Sequence, residues 1–124
     1  MSLLNVWLSP ERALVAVDTT VVLGATGARL EASKLVPLVH ANLVMAVMGE
    51  TAFLGYLFYQ LHHAVQTIDY DVLADTLPAA IDGLYREYRL QAQRLGVPFG
   101  AFRGCEIVVV GWSPRHGRLL GMRY

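Results

Sequence analysis

The order of hydrophobic periodicities constrains this chain more than any single motif does. Residues 3–8 (LLNVWL), 13–17 (ALVAV) and 43–48 (LVMAVM) are short apolar runs of strand character. Ser9-Pro10-Glu11-Arg12, a turn composition, makes the first two a hairpin. Val21–Leu23 and an alternating segment over Arg29–Leu35 add further strands. From Glu50 to Ile68 the spacing changes, with Phe53, Leu54, Leu57, Phe58, Leu61 and Val65 recurring every three or four residues. A second helical stretch runs from Tyr70 to Leu95 and stops at Gly96-Val97-Pro98. Pro78 inside it predicts a restart, with Thr76 as N-cap, the proline in the first turn and a helix over Thr76–Leu95. Glu106–Gly111 and Arg118–Tyr124 then flank Trp112–Gly117, a second hairpin. Strands, one block of helices and a final hairpin predict an α+β domain with antiparallel sheets.

The stretch VVLGATGARL at residues 21–30 tests that expectation, because a strand ending in two close glycines can open a dinucleotide-binding unit. That unit needs a third glycine and a helix that runs on to a parallel strand. Here the third position is Leu30, and Pro37 cuts the following segment short. The glycines are read as a hairpin turn, and no cofactor is expected.

Ten Lys and Arg balance ten Asp and Glu, so no basic field exists to hold a nucleic acid. Apolar residues make up 55% of the chain and charged residues 16%, against about 25% charged in an ordinary domain. No apolar run reaches membrane-spanning length, and no secretory leader is evident. The one cysteine, Cys105, excludes an internal disulfide, and a cytoplasmic location is expected. At 124 residues, the chain is read as one domain over 1–124.

Most other chemistry-bearing residues read as structural. His62 and His63 are adjacent on a helix and point about 100° apart, so they do not chelate one ion from one face. His40 and His116 lie in turns without carboxylates at ligand spacing, and no metal site is expected. Cys105 opens a strand without a basic cluster beside it, as a small buried hydrophobe would. Tyr85, Arg86, Glu87, Tyr88 and Arg89 read as a solvated or interfacial helix face.

Ser2, Asp18 and Lys34 are different. They are equally spaced, and the segments around the last two, Val15-Ala16-Val17-Asp18-Thr19 and Lys34-Leu35-Val36-Pro37-Leu38, carry a pattern. With Gly49 before the first helix and Gly111-Trp112-Ser113-Pro114 closing an apolar strand, the chain resembles the proteasome-like branch of the N-terminal-nucleophile (Ntn) hydrolases. The resemblance implies an αββα-type sandwich, here truncated to two antiparallel β layers with one helix pair. It also implies a peptidase or amidase in which Ser2, exposed by removal of Met1, is the nucleophile. Asp18 and Lys34 would activate it, and the Gly49 N–H would donate to the oxyanion. A free α-amine, with a pKa of about 8, would be the base.

Departures from the family pattern keep a second class open. Thr20 stands where the family has Arg, Ser2 where it usually has Thr, and nothing matches the family's later helices and strands. A non-catalytic subunit or scaffold would share the fold without the chemistry. An uncovered sheet face predicts pairing with a copy of this chain or a related subunit, since exposed apolar area is costly in water.

Overall fold

The computed structural model describes residues 3–22, 26–64, 68–97 and 104–124, and it is a mixed α+β fold. Ser9-Pro10-Glu11-Arg12 turns β1 (Leu4–Leu8) back onto β2 (Ala13–Val17), antiparallel, with Ser9 Oγ hydrogen-bonded to both the N–H and the carbonyl of Arg12. The second pair is β3 (Thr20–Val22) with β4 (Arg29–Glu31), also antiparallel. VVLGATGARL therefore spans a hairpin. Gly27 is in the left-handed region at φ 68°, which favours glycine, while residues 23–25 lie outside the described set.

The expected strand over Arg29–Leu35 is two strands. Ser33 Oγ bonds both the carbonyl and the N–H of Leu35, and that local turn competes with the ladder. Strand β5 (Leu35–Leu38) starts afresh beyond it. A single 3₁₀ turn at Val39–Ala41, closed by Asn42 at φ 49°, leads into β6 (Leu43–Gly49). The main sheet has the order β5-β6-β7-β8, all antiparallel, with β7 at Cys105–Ser113 and β8 at Arg118–Arg123.

Two helices cover one face of this sheet. Helix α1 (Thr51–Ala64) buries Phe53, Leu54, Leu57 and Leu61 against Met45, Val47, Ile107 and Val109. Burying each such side chain stabilises by about 1.5–3 kcal/mol. Its expected extent to Ile68 is corrected: residues 65–67 lie outside the described set, and Ile68 precedes the next helix.

Helix α2 is continuous from Tyr70 to Arg94, which corrects the expected restart at Thr76. The N-cap is Asp69, whose side chain accepts from Val72 N at 2.9 Å. Thr76 instead donates back to the Val72 carbonyl at 2.8 Å, one turn inside the helix. Leu73, Leu77, Ile81, Leu84 and Tyr88 keep one packed stripe in phase across Pro78, so tertiary packing outweighs the proline's local cost. Of the residues read as a solvated or interfacial face, Arg86 and Glu87 are exposed, whereas Tyr85 and Tyr88 turn inward. Their rings lie 4.9 and 5.4 Å from that of Phe53, centroid to centroid.

The β1–β2 hairpin lies on the other face of the sheet. Leu119 N donates to the Pro10 carbonyl at 2.8 Å, tying the hairpin turn to β8. Leu4 and Val6 face Val108 and Val110 across a groove of about 320 Å³. This side is less tightly filled than the helix side. The outward residues Trp7 and Leu14, directly paired across the hairpin, are 57% and 64% exposed. Among the described residues, no helix is long and apolar enough to cross a membrane.

Candidate functional site

The turn made by Ser33 delivers Lys34 into the interior. Its carbonyl accepts from Val47 N at 2.9 Å, which fixes the backbone against β6, and its side chain is only 2% exposed. A buried ammonium requires a counter-charge. Asp18, just beyond β2, supplies one with Oδ2 2.8 Å from Lys34 Nζ. The second oxygen, Oδ1, accepts the Leu3 N–H at 2.9 Å, and Asp18 N donates to the Leu3 carbonyl at 3.1 Å. Lys34 first, and then the Leu3 amide, hold the Asp18 carboxyl below its ordinary range.

Asp18 and Lys34 are thus brought together, and the carboxylate is clamped to the residue that follows Ser2. Ser2 itself lies outside the described residues. The Leu3 contact had no sequence signal beyond strand register, since any residue at position 3 supplies that amide.

Gly49 ends β6 on the same side of the sheet. Val47 N points to Lys34 and Glu50 N points to Gly104, so alternation along the strand turns the Gly49 N–H toward the Lys34 edge. Val47 and Gly49 are separated by about 6.6 Å at an ordinary strand rise. Gly49 has φ 100°, and a Cβ there would lie 2.7 Å from the Gly104 carbonyl oxygen. The backbone therefore demands glycine at this position whatever its chemistry.

A second polar cluster occupies the region where α2 begins. Ser113 Oγ lies 2.5 Å from Asp71 Oδ1, and Arg115 N donates to Asp71 Oδ2 at 2.8 Å. His116 N donates to Ser113 Oγ, while the Arg115 guanidinium grips Asp75 through two nitrogens. Ser113 chiefly, with the Arg115 amide, lowers the Asp71 carboxyl. In the sequence, Ser113-Pro114 reads as a strand end entering the Trp112–Gly117 turn, with no partner on α2. An acidic residue in a helix's first turn was the available signal for an anchor.

Cys105 is half-buried, and its thiol is pushed up to about 11 by burial and then by the nearby Glu50 charge. It is not an activated nucleophile. Imidazoles of His40 and His62 approach to 5.7 Å between centroids, but among the described residues no group of three or more possible metal ligands converges.

No family model matches the chain, and no curated protein and no solved structure matches it. The resemblance to the proteasome-like hydrolases therefore rests on this chain's own residues.

Proposed function

We propose that the chain is a shortened proteasome-like Ntn-hydrolase fold and that, with Met1 removed, Ser2 attacks an amide or peptide carbonyl. The observation that supports this most is the double engagement of Asp18. One oxygen holds a buried Lys34, and the other holds the backbone amide next to Ser2. In this reading the Ser2 α-amine takes the hydroxyl proton as Oγ bonds to the carbonyl carbon. Lys34 favours the developing alkoxide, and the Gly49 N–H meets the oxyanion. The C–N bond then breaks, the proton passes to the leaving amine, and water releases the acyl group from Oγ.

Intact mass spectrometry with a β-lactone probe, on protein whose first residue is Ser2, tests the proposal. One probe mass should add at residue 2 and be lost in Ser2→Ala and Lys34→Ala. An adduct that forms equally with Met1 retained, or no adduct on the processed chain, overturns it.

A specific feature favours a second reading, a non-catalytic subunit that associates with a copy of itself or a related chain. Leu3, Trp7 and Leu14 present an apolar outer face on the first hairpin, each more than half exposed. Sedimentation should then show an assembly that Trp7→Ser weakens. A monomer at micromolar concentration overturns this reading.

A further inference from the structure

The helix side of the main sheet holds a space that the chemistry above does not use. A cavity of about 170 Å³ lies between α1, α2 and the start of β7, with Phe53, Ile81, Asp82, Tyr85, Cys105 and Ile107 in its lining. The pocket opens to solvent at Asp82, and its volume is enough for a molecule about the size of benzene.

The walls are not uniformly apolar. Phe53 and Tyr85 meet edge to face, which leaves a rigid aromatic side. Tyr85 Oη accepts the Gly104 N–H at 3.1 Å, and its own hydroxyl hydrogen remains able to donate. Arg89 lies over the Tyr85 ring at 5.9 Å. Asp82 is the only carboxylate in the described lining, is exposed at its edge, and has no ion-pair partner among the described residues.

We propose that this cavity binds a small primary amine with an aromatic or branched apolar body. The body sits among Phe53, Ile81, Tyr85 and Ile107, and the ammonium meets Asp82. The Asp82 carboxylate favours an ammonium over a neutral group of the same shape, and the aromatic wall takes the apolar body. The site is separate from the Asp18–Lys34 pair and does not depend on Ser2 chemistry.

Cys105 lines the cavity and is the chain's one cysteine, so its modification reports on occupancy. The rate of its reaction with methyl methanethiosulfonate is measured with benzylamine, benzyl alcohol or methylamine present. Benzylamine at ten times its dissociation constant should slow the reaction about tenfold. Benzyl alcohol should bind about two- to fivefold more weakly, the range expected for an exposed charge contact. Asp82→Asn, at an exposed position, should abolish that difference while leaving protection by benzyl alcohol intact. Lack of protection by both aromatic compounds overturns the site. Equal protection by the two in the unaltered protein, or protection by methylamine alone, overturns the assignment of an amine with an apolar body.

Discussion

Asp18 and Asp71 are both held below the ordinary carboxylate range, yet they are held by different kinds of partner. Asp71 is met by a neutral hydroxyl and a backbone amide, and the result is mechanical: the β7–β8 turn hangs from the start of α2. Asp18 is met by a buried ammonium as well as an amide. Neutral donors satisfy a carboxylate that the fold has buried, beside an Arg115–Asp75 pair at the surface. A buried ion pair takes a charge out of water that an apolar residue of similar size would not. Burial and a lowered carboxyl therefore do not by themselves mark chemistry, and the identity of the partner separates the two cases.

The largest expected effect is on the ion pair. Lys34→Met in the processed chain should lower the rate of acylation at Ser2 by about two to three orders of magnitude, measured by mass spectrometry against time. Ser113→Ala should leave that rate unchanged per folded molecule. A large loss of rate in Ser113→Ala would erase the distinction.

Stability should respond the other way. Ser113→Ala removes a fully buried hydroxyl that serves both Asp71 and the His116 amide, and should cost about 2–3 kcal/mol by urea denaturation. Replacing the ion pair as a unit, with Lys34→Met and Asp18→Asn together, should come close to neutral, because Asn still accepts the Leu3 N–H and no charge is stranded. A double variant as destabilised as Ser113→Ala would mean that the pair is structural.

Acid should reach both clusters, and the difference between them is smaller. Each carboxyl titrates lower in the folded chain than at its unfolded value of 3.8, so its contribution is present above that pH. The contribution is lost as pH falls through the lower, folded value. Lys34→Met should weaken this acid dependence in the urea midpoint, since Lys34 is the largest cause of the Asp18 shift. The part due to Asp71 should persist. The smallest effect concerns Cys105: with its thiol near 11, disulfide exchange at neutral pH should run more slowly in the native than in the unfolded chain.

The legible parts of the fold were those set by period and turn chemistry. The first hairpin follows from its SPER turn, α1 from the Phe53-Leu57-Leu61 spacing, and β7 and β8 from the apolar runs around WSPRHG. Pro78 was misleading because local propensity disfavours it, while the stripe continuing beyond it is settled by packing. Tyr85 and Tyr88 fall on the three-and-four spacing of Leu77, Ile81 and Leu84, which is a sign of their inward direction, but their partners, Phe53 and Glu50, come from another part of the chain. At the candidate site, Asp18 and Lys34 were legible as a pair. The Ser33 turn that positions Lys34 and the Leu3 amide that shares Asp18 were not, because a lone serine between short strands is a weak signal and the Leu3 contact is a backbone interaction open to any residue.

The register of the first hairpin also has a mechanical consequence. Leu3 and Asp18 stand at its open end, immediately outside the Leu4–Val17 pair, and the strands close toward the turn at Ser9–Arg12. A load applied at the chain's start therefore peels the ladder one rung at a time and meets the Leu3–Asp18 rung first. The Pro10–Leu119 bond, at the far end, is loaded last. Whatever tugs on this terminus strips Asp18 of its backbone clamp while the main sheet is still intact, so the ion pair is the first part of the molecule to feel tension.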